Sequence, residues 1–360
     1  MTDHEYMERA ISLARLGIGW TNPNPLVGAV IVKAGRIIGE GYHAKYGEMH
    51  AERNAFASLT EDARGATLYV TLEPCCHYGK TPPCTEAILE HKIARVVIGS
   101  RDPNPKVSGK GAAILRDGGV RVEEDFMRAK CDELNLIFFH YIETRTPYVV
   151  MKYAMTADGK TATRTGASKW VTGEAARRKV QEMRYTYSGI MAGIGTVLAD
   201  DPLLNVRIPG KRSPVRIICD SHLRIPEDSR IVRTAGEYPT IIACSDGAPE
   251  KKETLRRCQI EVLEVPDADG RVDLKRLMRI LGERKIDSIL LEGGGTLNDS
   301  ALKAGIVKEV KVFVAPKIFG SYQAPSPVGG LGTTAPDEAM RMKLQNVSGI
   351  GEDLLIEYLL

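Results

Sequence analysis

No stretch of this 360-residue sequence approaches the ~20 apolar residues that a membrane-spanning helix needs. Runs such as Leu26–Val32 stop far short. The opening residues, Met1 to Ala10, carry acids where a secretory leader would carry bases and then an apolar core. Cysteine is sparse for a disulfide scaffold: there are seven, an odd number, spread over a long chain. These absences point to the cytoplasm, where cysteines stay thiols or bind metal. Net charge is also small, +3, and 43% of residues are hydrophobic, which excludes disorder as the dominant state. The strong basic excess of a nucleic-acid binder is missing too. Residues 1–146 carry 18 basic and 19 acidic side chains, and 147–360 carry 31 and 27. The slight excess in the second part suits an anionic small ligand. The sequence shows no internal repeat and no low-complexity segment.

What is present reads as two α/β domains, each long enough to bury a core. Residues 4–16 have helical spacing, and Leu26–Val32 with Arg36–Tyr42 read as a hairpin turning at Ala34-Gly35. Strands are expected at Ala66–Thr71, Ala94–Gly99 and Val120–Val122. Helices are expected over His50–Leu59, Thr85–His91 and Gly109–Asp117, with one long helix over Asp125–Tyr141. Pro147 ends that pattern and sets a boundary between 1–146 and 147–360. Beyond it, strands at Tyr148–Tyr153, Ser188–Ala192, Val215–Cys219, Thr240–Ala243, Glu261–Val265, Ser288–Leu291 and Lys308–Ala315 alternate with helices such as Glu174–Tyr185 and Asp273–Arg284. This predicts a mainly parallel sheet. Leu344–Leu360 reads as a terminal hairpin turning at Ser348–Gly351.

The sharpest chemical signal is H-A-E at His50-Ala51-Glu52, followed by Pro74-Cys75 and then Cys84. One His and two Cys can hold zinc with the fourth position open to water, whose pKa the metal lowers to give hydroxide near neutral pH. Glu52 is not needed as a ligand and is free to move a proton from water to a departing amine. H-x-E followed by P-C-x-x-C is the signature of zinc deaminases. Here eight residues, not two, separate Cys75 and Cys84, so the segment must loop out, with Pro82-Pro83 suiting a helix entry. Cys76 and His77 are competing ligands; Cys75 fits the motif better. A purely structural zinc site would want four protein ligands and no Glu52.

The second part lacks G-x-G-x-x-G after its first strand, so the ordinary dinucleotide fingerprint is absent. It has instead E-G-G-G-T at Glu292–Thr296, between a strand and a helical stretch, where backbone N–H groups can meet a phosphate. A second such element is G-I-G-T-V-L-A-D-D-P-L-L-N at Gly193–Asn205. Either could be no more than a tight turn.

The chain resembles the bifunctional riboflavin-biosynthesis deaminase–reductases. The resemblance rests on N-P-L-V-G-A-V at 24–30, G-Y-H at 41–43, H-A-E at 50–52, T-L-E-P-C at 71–75, H-Y-G-K-T-P-P-C at 77–84 and R-D-P-N-P at 101–105. It continues in M-K-Y-A-M-T-A-D-G-K at 151–160, S-K-W-V-T-G at 168–173, the 193–205 segment and E-G-G-G-T. The eight-residue gap is characteristic of that family. The resemblance implies a cytidine-deaminase-like α/β/α sandwich followed by a dihydrofolate-reductase-like α/β domain. It implies zinc on His50, Cys75 and Cys84, with Glu52 shuttling protons. Asn24, His43, Lys80, Asp102 and Asn104 then surround the first substrate, Lys80 reaching a phosphate as a point charge. It places Ala154, Trp170, Thr196, Asp200, Ser221 and Gly294-Gly295-Thr296 at NADPH, and Ser168, Arg184, Leu204, Arg207 and Glu292 at the second substrate. Arg184 and Arg207 suit a sugar phosphate, since a guanidinium binds it bidentately. Lys152 on the first strand is expected to pair with Glu292 near the reacting sugar, unless the pair is only structural. The bland alternatives are turns for Asn24, Asn104, Asp200 and Asp201, a surface place for His43 and a core place for Trp170. Three departures stand out: Cys76 and Gly173 replace a common Ser, and Arg53 replaces an apolar residue.

The implied reactions are deamination of 2,5-diamino-6-ribosylamino-4(3H)-pyrimidinone 5′-phosphate and NADPH-dependent reduction of its ribosyl group to ribityl. The expected partner is this phosphorylated pyrimidine, with no nucleic acid and no membrane, in a homo-oligomer. The rivals are a nucleic-acid base deaminase with an appended domain, and a non-catalytic nucleotide-binding protein.

Overall fold

Side chains along the first strands alternate between two cores. Ala29, Ile31, Leu68, Val70, Val96 and Ile98 enter one apolar cluster, while Val30, Val32, Tyr69 and Val97 enter another. A sheet buried on both faces needs helices on both. The computed structural model, which describes residues 1–78, 82–105 and 107–360, divides into units Met1–Arg145 and Thr146–Leu360. The first unit runs α1 (Asp3–Ala14), β1 (Gly28–Lys33), β2 (Arg36–Tyr42), α2 (Ala51–Ala57), β3 (Thr67–Leu72), α3 (Cys84–Glu90), β4 (Arg95–Ser100), α4 (Lys110–Asp117), β5 (Arg121–Glu123), α5 (Arg128–Leu134) and α6 (Leu136–Thr144). Its sheet order is β2-β1-β3-β4-β5. Helices α2, α3 and α4 cover one face and α1 and α5 the other, an α/β/α sandwich.

Close approach sets where α2 lies. A Cβ on Gly41 of β2 would meet the Ala51 carbonyl at 2.4 Å and the Ala55 nitrogen at 2.3 Å. Only glycine lets the start of α2 rest on β2 so tightly, and that start carries His50 and Glu52. The single long helix expected over 125–141 is broken. Asn135, at φ −123° and ψ 20°, separates α5 from α6. Its side chain accepts from the Leu26 amide at 2.8 Å and donates to the Leu26 carbonyl at 3.0 Å. That bond pair fixes the chain just before β1, and helix continuity is given up for it.

The second unit runs β6 (Tyr148–Thr156), α7 (Glu174–Thr186), β7 (Gly189–Gly193), α8 (Ile194–Asp200), β8 (Val215–Cys219), α9 (Arg230–Arg233), β9 (Thr240–Cys244), α10 (Pro249–Arg257), β10 (Ile260–Glu264), α11 (Leu274–Glu283), β11 (Ser288–Leu291), α12 (Gly295–Lys303), β12 (Val307–Ala315), β13 (Lys343–Ile350) and β14 (Asp353–Leu359). Its nine strands lie in the order β10-β9-β8-β7-β11-β6-β12-β14-β13. The seven strands from β10 to β12 are parallel, and β14 and β13 add an antiparallel edge. The terminal hairpin turns later than expected, at Gly351-Glu352, where Gly351 takes φ 61°. Asp353 anchors the start of β14 by accepting the Gly173 amide at 2.8 Å. None of the described helices is long and apolar enough to cross a membrane.

Candidate active sites

Three element ends meet in the first unit. His50 precedes α2, Cys75 follows β3 by three residues, and Cys84 opens α3. The Cys75 Sγ lies 3.4 Å and the Cys84 Sγ 3.5 Å from His50 Nδ1. These three donor atoms all lie within 4.8 Å of one another, the one such cluster among the described residues. Zinc bonds of about 2.3 Å to sulfur and 2.0–2.1 Å to nitrogen at tetrahedral angles require S···N separations of about 3.5 Å. The donor set and its spacing therefore fit zinc. Hydrogen bonds from Cys84 and His50 pull the Cys75 thiol below its ordinary range, towards the thiolate that binds a metal.

Glu52 is in the first turn of α2 and only 3% exposed. Burial pushes its carboxyl up, and the charge of Cys75 adds to the shift. His43 is buried, not on the surface. Its Nδ1 lies 3.1 Å from the Met49 carbonyl, which can only accept, so Nδ1 carries the hydrogen. Nε2 is then left to accept from Asn24 Nδ2 at 3.2 Å. Burial lowers the His43 pKa, which keeps the ring neutral, edge-on to His50 at 5.5 Å. Asn24 thus does more than shape a turn.

Asp102 is buried beyond the end of β4 and accepts the Asn104 amide at 2.8 Å. Burial lifts its carboxyl to about 6, and the charges of Glu73 and Cys75 add to the shift. Lys80 falls outside the described residues. Cys76 and His77 are not in the donor cluster. Arg53 is engaged by backbone: its Nε and Nη2 donate to the Pro82 and Pro83 carbonyls at 3.1 and 3.0 Å. This departure from the family pattern ties α2 to the entry of α3. Sequence reasoning missed Glu73. Its buried carboxylate accepts the Gly109 amide at 3.0 Å and the Ala112 amide at 3.2 Å, capping α4 beside the Asp102 loop. The only sequence signal was an acid before P-C, ahead of a glycine-led helix.

In the second unit a cavity of about 1180 Å³ opens at the carboxyl ends of the parallel strands, the usual place for a ligand in such sheets. Ala154, Trp170, Thr196, Asp200, Ser221, Gly294, Gly295 and Thr296 line it. So do Lys152, Ser168, Arg184, Leu204, Arg207 and Glu292. The two glycine-rich elements are joined, since β7 and β11 are neighbours: Gly193 N and Thr196 Oγ1 donate to the Gly293 carbonyl at 3.0 and 3.1 Å. Gly293 takes φ 66°, and a Cβ there would meet Asn298 Oδ1 at 2.6 Å.

Glu292 is the electrostatic centre. Arg184 grips it bidentately, Nε to Oε1 at 2.6 Å and Nη2 to Oε2 at 2.8 Å, while Nη1 donates to the Asn205 carbonyl at 3.0 Å. Lys152 Nζ stands 3.9 Å from Oε2, an ion pair without a hydrogen bond. Burial pushes the Glu292 carboxyl up, but the charges of Arg184 and Lys152 outweigh it and hold it at about 2. Burial lowers Lys152. The Arg184 fork is thus engaged by protein, whereas Arg207 lines the cavity together with Arg177, Arg224, Arg230 and Arg271. Trp170 is a cavity wall, not core: it is 57% exposed, with the Arg177 guanidinium 4.6 Å from its ring. Asp200 lines the cavity and accepts from Ser168 Oγ at 3.3 Å, while Asp201 is a turn residue at φ 38°. Gly173 is not in the lining; the Asp353 carboxylate holds its amide.

Asn298 in the first turn of α12 also escaped the sequence reading. It is buried in the cavity wall, and its Oδ1 has no hydrogen-bond partner among the described residues. A cavity larger than most small-ligand pockets, with the helix-opening backbone of Gly294–Thr296 and the Trp170 indole in its lining, fits an extended nucleotide cofactor.

Residues 1–100 match the family described as the cytidine and deoxycytidylate deaminase zinc-binding region, and residues 147–356 match the RibD C-terminal domain. A riboflavin biosynthesis protein RibD from Actinobacillus pleuropneumoniae is 56% identical, covering 99% of this chain and 95% of its own. The RibD of Escherichia coli (strain K12) is 40% identical, with 99% of each chain covered. Among solved structures, Acinetobacter baumannii RibD aligns with a TM-score of 0.89 at 36% identity, over 99% of this chain and 98% of that one. A Thermotoga maritima diaminohydroxyphosphoribosylaminopyrimidine deaminase/5-amino-6-(5-phosphoribosylamino)uracil reductase aligns at 0.87 with 40% identity, over 99% and 97%.

Proposed function

This chain belongs to the RibD family of bifunctional riboflavin-biosynthesis deaminase–reductases, and from that membership we propose which residues perform its two reactions and on what. It is a zinc-dependent deaminase joined to an NADPH-dependent reductase. The deaminase unit takes 2,5-diamino-6-ribosylamino-4(3H)-pyrimidinone 5′-phosphate, and the reductase unit takes the ribosyl product. The observation that carries the residue assignment is the His50–Cys75–Cys84 triad with buried Glu52 two residues from His50.

His50, Cys75 and Cys84 hold the zinc, whose Lewis acidity lowers the pKa of water in the site. Glu52 accepts a proton from that water and returns it to the departing nitrogen. A C–O bond forms at the ring carbon, the C–N bond breaks, and ammonia leaves. Asn24 and neutral His43 form one polar wall, Asp102 and Asn104 another, and Lys80 meets the phosphate.

Gly294, Gly295 and Thr296, with Ala154, Trp170, Thr196, Asp200 and Ser221, hold NADPH, which supplies the hydride for the sugar carbon. Arg207, Ser168 and the backbone of Leu204, whose side chain is buried in an apolar cluster, receive the sugar phosphate. Glu292 orients it under the restraint of Arg184, with Lys152 beside the reacting carbon. The small-molecule phosphate ester is the partner, not nucleic acid, and the cytoplasm is the compartment. A homo-oligomer is also proposed. The edge strand β13 exposes Leu344 and Val347 among Lys343, Gln345 and Asn346, and sedimentation of the full chain tests whether a second copy covers it.

The decisive experiment is Glu52→Gln in the whole protein. Ammonia release is abolished, while bound zinc and NADPH-dependent reduction of the deaminated compound persist. Retained deamination would falsify the role of Glu52.

A further inference from the structure

The guanidinium of Arg216 on β8 is completely buried, with 0% exposure. Among the described residues, its hydrogen-bond acceptors are all neutral. Nε and Nη2 donate to Thr240 Oγ1 at 2.9 and 2.7 Å, and Nη2 also to the Ile231 and Tyr238 carbonyls at 2.9 and 3.2 Å. Nη1 donates to Thr234 Oγ1 at 2.9 Å and to the Leu203 carbonyl at 3.2 Å. The Tyr238 ring lies 5.3 Å from the same group. Burial lowers its pKa to about 10, which still leaves it charged at neutral pH. A buried charge without a counter-ion is costly, and an apolar side chain of similar volume would fill the place without that cost. Stability alone is a poor reason to keep arginine there.

Two of its bonds lead to one wall of the cavity, one directly through the Leu203 carbonyl and one through Tyr238. Leu203 belongs to the cavity-lining segment Pro202–Asn205. The next residue, Leu204, is held at φ 51°, a left-handed conformation that a leucine adopts only when its surroundings impose it. Asn205 follows: its Nδ2 donates to the Tyr238 hydroxyl at 3.2 Å, and its carbonyl accepts from Arg184 Nη1 at 3.0 Å. Arg184 in turn grips Glu292. Arg216 therefore binds the backbone just before the strained residue, and also the Tyr238 carbonyl, on the residue whose hydroxyl anchors the segment just after it.

We propose that Arg216 is a positioning residue of the reductase, holding the Pro202–Asn205 wall from behind so that the Leu204 backbone and Arg207 meet the sugar phosphate and Arg184 stays on Glu292. The proposal rests on the sugar-phosphate reading of that wall given above. Arg216 itself is not in the cavity lining. Its hydrogen bonds among the described residues include none to the glycine-rich turn at Gly293–Thr296. Losing its fork should therefore loosen the sugar-phosphate side and spare the cofactor side.

The test uses the full chain with Arg216→Lys, Tyr238→Phe and, as a control on the wall, Arg207→Ala. Lysine keeps the charge but cannot reproduce the fork. Arg216→Lys is expected to raise the reductase KM for the deaminated substrate about tenfold or more, with NADPH Kd from fluorescence titration within about twofold and deamination unchanged. Tyr238→Phe removes only the hydroxyl that Asn205 uses. It should raise KM in the same direction by less, without lowering the unfolding temperature, and it decides the matter if Arg216→Lys does not fold. A folded Arg216→Lys with wild-type KM overturns the proposal. So does a parallel loss of NADPH affinity and KM, or a wild-type KM for Tyr238→Phe when Arg216→Lys is unfolded. If Arg207→Ala also leaves KM unchanged, the sugar-phosphate reading itself falls, and the proposal falls with it.

Discussion

Glu292 shows how one carboxylate can be both buried and ionised. Two cations, Arg184 at hydrogen-bond distance and Lys152 at 3.9 Å, hold it at about 2, against 4.5 ordinarily. Its folded-state pKa is depressed, so its stabilising contribution is complete above about pH 4.5 and is lost as pH falls towards 2. Glu292→Gln leaves Arg184 buried without a counter-charge. Urea midpoints for the reductase unit should differ most between wild type and Glu292→Gln above pH 4.5, and the gap should narrow as pH drops. A gap constant from pH 6 to pH 3 contradicts the ion-pair account. At this scale the sequence was most informative where chemistry demands a residue type, as at His50, Glu52, Cys75 and Cys84. It was silent on who engages whom. That Arg184 is spent on Glu292, and that Arg53 serves the Pro82 and Pro83 carbonyls, depends on contacts 108 and about 30 residues apart along the chain.

Among the elements, strands were read best, because alternation between two cores leaves a period that a sequence displays directly. Arg36–Tyr42, Val215–Cys219 and Ser288–Leu291 lie where they were expected. The helix over 125–141 was misread for a physical reason. Its apolar spacing continues through Asn135, yet the Asn135 amide is worth more bonded to both backbone groups of Leu26 than inside a helix. Asn135→Ala restores helix propensity but strands two Leu26 backbone groups. It should cost about 2 kcal/mol, seen as a lower denaturant midpoint for the deaminase unit. A neutral or stabilising effect would mean that local propensity outweighs the tie. The caps supplied by Glu73 and Asp353 were equally hidden, since each serves a segment distant in sequence.

For the whole molecule, the two catalytic constellations draw on separate sets of residues. His50, Cys75, Cys84 and Glu52 all fall within Met1–Arg145, and the reductase cavity is lined wholly by Thr146–Leu360. Stripping zinc with a strong chelator should therefore end ammonia release and lower the unfolding temperature of the deaminase unit, because a ligand that binds only the folded state is lost. NADPH oxidation with pre-deaminated substrate should proceed at its former rate. Loss of both activities on chelation would show that zinc supports more than its own unit.

The sheet order of the second unit also has a consequence for biosynthesis. β6 is its first strand in the chain, yet it lies in the sheet interior between β11 and β12, with Tyr148 paired to Ser288. A ribosome must deliver some 140 further residues before that pairing is possible, and pairings so distant along the chain form slowly. The deaminase unit, all of whose strand partners lie within its own residues, is free to fold while synthesis continues. The nascent reductase meanwhile carries the apolar strand Tyr148–Thr156 without its neighbours, and this is the interval in which the chain most needs protection from aggregation.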